Sequence, residues 1–169
     1  MNLPKRKSNR LPRYDYSQNG AYFVTMCVKN MHKILGSVEN KNVVLSSIGE
    51  VVKEEIENVP KIRGEIEIAH YVIMPNHIHL IVHIVGADGD PPESNTQENI
   101  RADCHPPLHR KSISNMVQGF KGAVTRKIGY SIWQRSYYDH VIRSREQYHQ
   151  ICKYIHENPL YWAEDMYNI

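Results

Sequence analysis

Two neighbouring segments, 66–74 and 77–85, alternate between apolar and polar residues and are separated by only Pro75 and Asn76. A period of two is typical of half-buried β-strands, and so short a connection favours antiparallel pairing of the two segments. The stretch is as long as a membrane span, but Glu67, the Pro75-Asn76 break and four histidines exclude that interpretation. The sequence therefore predicts a β-hairpin here.

The rest of the chain switches between strand and helix patterns. Residues 21–28 are rich in β-branched and aromatic types, whereas 46–60 and 112–129 carry apolar residues at helical spacing. In order, the sequence predicts a strand at 21–28, a helix at 46–60 ended by Pro60, strands at 66–74 and 77–85, a helix at 112–129, a strand at 133–142 and a helix from about Ser144 to the Asn158-Pro159 pair. Without its last helix this order is β-α-β-β-α-β. It indicates an α+β fold of the ferredoxin-like type, in which helices cover one face of an antiparallel sheet.

Composition fits a single domain over 1–169. With 169 residues and 41% apolar content the chain can bury its own core, which excludes a disordered chain and a disulfide-stapled mini-fold. The net charge of +3 is small, but the bases are unevenly spread. Residues 1–13 hold five basic residues and no acidic one, and 99–135 hold seven bases against the single acid Asp103. Such a distribution allows a positive surface that faces a polyanion.

The cysteines indicate a reducing compartment. Cys27, Cys104 and Cys152 are odd in number and form no C-x-x-C pair, so neither a disulfide framework nor a four-cysteine zinc site is indicated. The basic N-terminal stretch is not followed by the apolar run of a signal peptide, and we therefore expect a cytoplasmic protein with no membrane contact. Residues 1–18 are interpreted as a basic arm, and 86–111, with four prolines and no period, as a long exposed loop.

The histidines of the second hairpin strand are the most informative residues. Alternation places His77, His79 and His83 on one face, while the other face is already apolar, so the histidines are not needed to build the core. His77 and His79 lie roughly 7 Å apart along the strand, a spacing from which two imidazoles can converge on one divalent ion. A pair of exposed histidines on the polar side of a hairpin remains the alternative.

A second group of candidates lies on the last predicted helix. Tyr154 and Asn158 are four residues apart and hence about 40° apart around the helix axis, so they face the same way. An asparagine oxygen could complete a two-histidine metal site, and a phenol one turn away could attack a phosphate bound there. Tyr137 and Tyr138, adjacent in the predicted fourth strand, are rival nucleophiles, and spacing alone does not choose among the three.

Three motifs carry a resemblance to a known family. They are Met74-Pro-Asn-His-Ile-His79, Trp133-Gln-Arg-Ser-Tyr-Tyr-Asp-His-Val-Ile-Arg143 and Tyr154-Ile-His-Glu-Asn-Pro159. Together and in this order they resemble the REP-associated tyrosine transposases, the single-tyrosine members of the HUH endonucleases. The opening Arg10-Leu-Pro-Arg-Tyr-Asp-Tyr-Ser17 and Gly20-Ala-Tyr-Phe-Val-Thr25 are similar as well, so the resemblance spans nearly the whole chain. It implies a ferredoxin-like sheet of the HUH endonuclease type and a C-terminal helix that carries the nucleophile.

The resemblance also implies a role for each candidate. His77 and His79 match the metal-binding HUH pair, Asn158 matches the third metal ligand, and Tyr154 matches the nucleophile. The implied cofactor is a divalent metal, Mg²⁺ or Mn²⁺, and the implied reaction cleaves single-stranded DNA through a 5′-phosphotyrosine and a free 3′-hydroxyl. Because no water is consumed, a 3′-hydroxyl can reverse the step and join new ends, as DNA transposition and recombination require.

The implied partner is single-stranded DNA with a hairpin structure, of the kind formed by repetitive extragenic palindromes. Aromatic side chains beside bases suit unpaired nucleotides, although short basic ends are also commonly solvated tails. The candidate DNA contacts are Arg10, Arg13, Tyr14 and Tyr16 in the arm and Lys121, Arg126 and Lys127 in the second helix. Two other functions stay open, a metal-dependent nuclease that uses water and a non-catalytic module that binds hairpin nucleic acid. A monomer and a homodimer are equally compatible with the sequence.

Overall fold

The computed structural model describes residues 18–85 and 112–168. In chain order its elements are β1 (Gly20–Cys27), β2 (Gly36–Glu39), β3 (Asn42–Leu45), α1 (Ser47–Ile62), β4 (Ile66–Ile73), β5 (His77–Ile84), α2 (Ile113–Ile128), β6 (Tyr138–Ile142) and α3 (Arg145–Glu157). Single 3-10 turns at Lys29–Met31 and Trp162–Glu164 follow β1 and α3. Nearly all of the predicted arm, and the predicted loop at 86–111, lie outside the described residues.

Four strands form one antiparallel sheet in the order β4-β5-β1-β6. Counted without the separate β2–β3 hairpin, this is the order second, third, first, fourth, which is the ferredoxin-like arrangement. β4 and β5 form the predicted hairpin, closed by the Met74 N–H, which donates to the His77 carbonyl oxygen at 2.9 Å. The α+β, ferredoxin-like prediction is therefore confirmed.

Each helix begins at a serine cap. The side-chain oxygens of Ser46, Ser112 and Ser144 accept hydrogen bonds from the backbone N–H three residues further on, at 3.1, 3.3 and 3.1 Å. α2 ends at Gly129, whose φ of 90° lies in the left-handed region that glycine adopts without steric cost. Among the described helices, none combines the length and the apolar content that crossing a bilayer requires.

Two predicted boundaries are wrong. Pro60 lies inside the last turn of α1, which continues to Ile62, because a proline near a helix end removes one hydrogen bond without disturbing the turns before it. β6 begins at Tyr138 rather than at 133. Before it, Trp133 forms an isolated bridge with Val28, and the backbone carbonyls of residues 134 and 136 accept hydrogen bonds from Lys121 Nζ, at 2.8 and 3.1 Å.

The β2–β3 hairpin is absent from the sequence-based predictions. Its strands have four residues each, which is too short for a period of two to be recognised. Its turn is formed by Asn40 and Lys41, with φ values of 50° and 65°. Two consecutive residues with positive φ are typical of a two-residue hairpin turn.

The two faces of the main sheet are covered by different helices. On one face, Ile78, Leu80 and Val82 of β5 are buried together with apolar residues of α1 and α2, as the alternation predicted. The opposite face carries His77 and His79, and α3 packs there against β4 and β5. The last helix therefore lies on the histidine side of the sheet.

Candidate active site

His77 and His79 lie side by side on the histidine face of β5. They are buried, with 0% and 1% of their surface exposed, and their Nε2 atoms are 3.0 Å apart. Two nitrogens are this far apart when both bind the same metal ion at about 2.1 Å and the two bonds are at right angles. The alternative of two exposed histidines on a polar strand face is therefore wrong for this pair.

A neighbouring amide determines where His77 carries its proton. Asn76 Nδ2 donates to the backbone oxygens of Met31 and Tyr167 at 3.2 and 2.7 Å, so its Oδ1 is the atom that faces His77 Nδ1 at 2.9 Å. An amide oxygen only accepts, and Nδ1 of His77 must therefore hold the proton and donate it. Nε2 of His77 keeps a lone pair directed at His79, which is the state that a metal ligand needs.

His79 is held from the adjacent strand. Its Nδ1 lies 2.8 Å from Oγ1 of Thr25, the residue directly opposite on β1, and the Phe23 ring stacks on it with 5.2 Å between centroids. A hydroxyl can accept, so His79 can also carry its proton on Nδ1 and leave Nε2 free. Two lone pairs then face each other across 3.0 Å, an arrangement that a cation between them would stabilise.

Burial keeps both imidazoles neutral. It lowers the pKa of His77 to about 4, with a smaller opposing effect from the Asp165 carboxylate. Burial also lowers the pKa of His79 well below its ordinary value, and the proximity of His77 adds to this effect. Because neutral imidazole is the form that binds metal ions, both side chains are ready ligands at neutral pH.

Tyr154 reaches the histidine pair from α3. Its hydroxyl lies 3.3 Å from His79 Nε2, and the two ring centroids are 5.2 Å apart. Tyr154 is 41% exposed, so a substrate can approach the phenol from solvent. Partial burial raises the pKa of Tyr154 to about 12, with contributions from Asp165 and Tyr167, and the phenol is therefore protonated at neutral pH.

Asn158 lies beside Tyr154 and Asp165 at the end of α3. Although it precedes a proline, its φ and ψ of −53° and −42° are helical, so it stays one turn from Tyr154. Asn158 Nδ2 donates to Asp165 Oδ2 at 3.0 Å, and because a carboxylate only accepts, the orientation of the amide is determined. Its Oδ1 is buried and accepts no hydrogen bond from any residue of the described part. Such an oxygen costs free energy unless a ligand contacts it.

The donor set fits a divalent ion. His77 and His79 offer two imidazole nitrogens and Asn158 offers an amide oxygen, without a thiolate, which is compatible with Mg²⁺ or Mn²⁺. Over residues 18–85 and 112–168, no cluster of three or more His, Cys, Asp and Glu side chains could hold a metal on its own. Asn158 as the third ligand stays a prediction.

The segment after α3, residues 162–168, covers the histidine pair. The ring centroids of Tyr167 and Trp162 lie 4.5 and 6.1 Å from that of His77. The same segment supplies the backbone oxygen that orients Asn76 and the Asp165 carboxylate that orients the amide of the last turn of α3. Sequence reasoning missed this contribution, because the segment has no periodic pattern that would predict where it packs.

The structure separates the three candidate nucleophiles. Tyr137 faces α2, where its ring centroid lies 5.8 Å from Lys121 Nζ. Tyr138 lies on the histidine face, with its ring centroid 6.4 Å from that of Phe23. Of these three tyrosines, Tyr154 is the one whose hydroxyl is within hydrogen-bond distance of the histidine pair. The structure thus brings Tyr154, both histidines and the last turn of α3 together.

Two of the three predicted DNA contacts on α2, Lys121 and Lys127, have partners within the protein. Lys121 Nζ donates to two backbone carbonyls before β6, and burial lowers its pKa to about 8. Lys127 Nζ pairs with Glu54 at 2.9 Å and with the buried Glu55 at 2.8 Å, and Arg126 lines a cavity of about 150 Å³ between α1 and α2. Arg10, Arg13, Tyr14 and Tyr16 lie outside the described residues. DNA contact by all seven stays a prediction.

The fold is similar to that of a solved structure. The solved structure of a REP-associated tyrosine transposase bound to a REP hairpin superimposes with a TM-score of 0.62, over 89% of this chain and 73% of that chain, at 22% sequence identity. The fold that the sequence resemblance implied is therefore confirmed. No protein-family profile matches the sequence.

A relative in sequence defines the family. An uncharacterized protein of Haemophilus influenzae (strain ATCC 51907 / DSM 11121 / KW20 / Rd) is 35% identical over an alignment of 176 positions, which covers 95% of this chain and 91% of that protein. The match extends over nearly the full length of both chains. The present chain belongs to the same family as this Haemophilus influenzae protein.

Proposed function

We propose that the protein cleaves single-stranded DNA and transfers the cut strand in a metal-dependent reaction, with Tyr154 as the nucleophile. The observation that carries the proposal is the position of the Tyr154 hydroxyl, 3.3 Å from His79 Nε2 and beside the candidate metal ligands. The three sequence motifs and the fold shared with a tyrosine transposase support the same reaction. Transposition is thus the biological process that we propose.

The side chains would share the chemistry as follows. His77, His79 and Asn158 would hold a Mg²⁺ or Mn²⁺ ion, whose positive charge would stabilise the scissile phosphate and the phenolate. Tyr154 Oη forms a bond to phosphorus while the bond to the 3′ oxygen breaks, which leaves a 5′-phosphotyrosine. The phenol loses its proton, and the departing 3′ oxygen takes one up to become a hydroxyl. A 3′-hydroxyl that attacks the phosphotyrosine reverses these bond changes and joins the strands.

The proposed substrate is a single strand that contains a hairpin. The solved transposase of the same fold is bound to a REP hairpin, and the bases of this chain concentrate in 1–13 and 99–135. We propose that the arm contacts unpaired nucleotides and that α2 contacts the phosphates of the stem. The proposed contacts are Arg10, Arg13, Tyr14 and Tyr16 for the former and Lys121, Arg126 and Lys127 for the latter.

A denaturing gel with 3′-labelled hairpin DNA tests the proposal, because the phosphotyrosine retains the fragment on the 3′ side of the cut. The parent protein should form a covalent adduct with Mg²⁺ or Mn²⁺ and none with a chelator. Tyr154→Phe should abolish the adduct. Tyr161→Phe is the matched control, since Tyr161 is 55% exposed and lines the same cavity of about 380 Å³ beside Tyr154. His77→Ala should abolish the adduct while DNA affinity is retained.

The other two functions give different results in this assay. If water is the nucleophile, free 5′-phosphate fragments accumulate without an adduct, and Tyr154→Phe still cleaves. If the protein only binds hairpin DNA, no metal produces a cut, and substitution of His77 or His79 changes nothing that can be measured. An adduct formed by Tyr154→Phe would show that the nucleophile is a different residue.

A further inference from the structure

The histidine face of the sheet extends beyond the part on which α3 packs. α3 packs mainly against β4 and β5, whereas β1 and β6 lie on the other side of the histidine pair. Directly opposite residues of paired strands share a face. The pairs Thr25–His79 and Thr25–Tyr138 therefore place Tyr138 on the histidine face, and the pair Phe23–Ile81 places Phe23 there as well.

Two aromatic side chains on this half of the face form a surface that continues to the nucleophile. We call Phe23 and Tyr138 the aromatic platform. The Phe23 ring centroid lies 6.2 Å from that of Tyr154 and 6.4 Å from that of Tyr138, with both pairs edge-on. Tyr138 is 45% exposed. An aromatic ring with this exposure beside a candidate phosphate site offers its surface to a ligand.

Basic residues flank β6 in the sequence. Arg135 precedes β6 and Arg143 and Arg145 follow it, and all three are exposed. The single acidic residue of β6, Asp139, is buried and lies opposite Val24, on the other face of the sheet. Exposed aromatic rings beside positive charge are the combination that binds the bases and the backbone of unpaired nucleic acid.

We propose that the aromatic platform stacks unpaired bases of the DNA strand next to the scissile phosphate, while the three arginines contact its backbone. This inference rests on the proposed function, because the strand is placed here by a phosphate bound between Tyr154 and the histidine pair. Stacking requires a ring and accepts any base, so the aromatic platform orients the strand without reading its sequence. The DNA strand crosses β1 and β6 before it reaches Tyr154 and the histidine pair.

The test measures the affinity of the full chain for a labelled, unstructured single strand of about 12 nucleotides by fluorescence anisotropy. A chelator is present, so that no cleavage occurs. Tyr138→Ala should weaken binding about 5- to 150-fold, and Tyr138→Phe should stay within about twofold of the parent because the ring is retained. Tyr130→Ala is the matched control, since Tyr130 is 55% exposed and lies just beyond the end of α2. Phe23 is left intact because it stacks on His79.

Thermal unfolding of each variant verifies that the protein is folded. The inference is overturned if Tyr138→Ala binds within about twofold of the parent, or if Tyr138→Phe loses as much affinity as Tyr138→Ala. It is also overturned if binding of a matched duplex falls equally, because phosphate contacts would then account for the effect. If no Tyr154 adduct forms but Tyr138→Ala still weakens binding of single-stranded DNA, the catalytic proposal alone is refuted. The failures of the two proposals are thus distinguishable.

Discussion

Replacing Thr25 by valine should weaken metal binding at the histidine pair while the protein stays folded. Valine keeps the β-branched shape that suits the strand and removes the hydroxyl that lies 2.8 Å from His79 Nδ1. With the hydroxyl accepting, His79 carries its proton on Nδ1, and Nε2 is free for a metal. Without it, His79 is better satisfied by donating from Nε2 to the lone pair of His77 Nε2, 3.0 Å away.

The size of the effect follows from this change of proton position. A metal that binds Thr25→Val has to move the proton to Nδ1 of His79, where it has no acceptor. A buried N–H without an acceptor costs about 1–3 kcal/mol, which corresponds to about 5- to 150-fold in affinity. Loss of an outer contact to a metal-binding histidine typically costs about 10- to 100-fold, in agreement with that range. The free energy of unfolding without metal should fall by only about 1 kcal/mol.

The measurement is a Mn²⁺ titration followed by the electron paramagnetic resonance signal of the free ion, with unfolding curves for each variant. Thr125→Val is the matched control, because the Thr125 hydroxyl also forms a hydrogen bond, to the Lys121 carbonyl oxygen at 2.7 Å, but on α2. Equal Mn²⁺ affinity in Thr25→Val and in the parent would refute the reasoning about the proton. An equal loss in the control would attribute the effect to general destabilisation.

Three further results are expected. Burial lowers the pKa of His77 to about 4, so between about pH 6.5 and 4 the unfolded chain binds a proton that the folded chain does not. The free energy of unfolding without metal should therefore fall by roughly 3 kcal/mol as the pH drops through this window. Denaturant unfolding at several pH values measures it, and a flat profile would contradict it. Asp165→Ala should lower Mn²⁺ affinity, because the amide of Asn158 loses the carboxylate that orients it, and a titration with unchanged affinity would disprove this role. Gly49→Ala should destabilise the fold by about 1–3 kcal/mol, since its Cβ would collide with a backbone carbonyl oxygen, whereas Gly64→Ala, with open space around it, should be close to neutral in the same unfolding assay.

Short-range sequence patterns predicted the fold and showed which candidate site residues share a face of a strand or a side of a helix. A period of two places His77 and His79 on one face whatever the rest of the chain does, and a spacing of four places Tyr154 and Asn158 on one side of a helix. Helix starts were predicted to within a residue or two because serine caps act through neighbouring backbone groups. The strand at 133–142 was predicted too long: its first half has an isolated bridge at Trp133, and Lys121 Nζ binds the carbonyl oxygens of residues 134 and 136.

The contacts that orient the candidate ligands could not be predicted, because they join distant parts of the chain. Thr25 and His79 are 54 residues apart, and their contact depends on the pairing of β1 with β5. Asn76 and Tyr167 are 91 residues apart, and their hydrogen bond depends on where the segment after α3 packs. Neither contact is associated with a periodic sequence pattern from which it could be predicted.

Burial has opposite consequences for the two kinds of group in the candidate site, and a cation would reconcile them. Burial lowers the pKa of His77 and so favours the neutral ligand, but it raises the pKa of Tyr154 to about 12 and so disfavours the phenolate. A positive charge within about 4–6 Å leaves the ligands neutral and stabilises the ionised phenol. Removal of metal by a chelator should therefore abolish adduct formation at neutral pH while DNA affinity changes little. Adduct formation that persists in the chelator would show that Tyr154 is activated by another group.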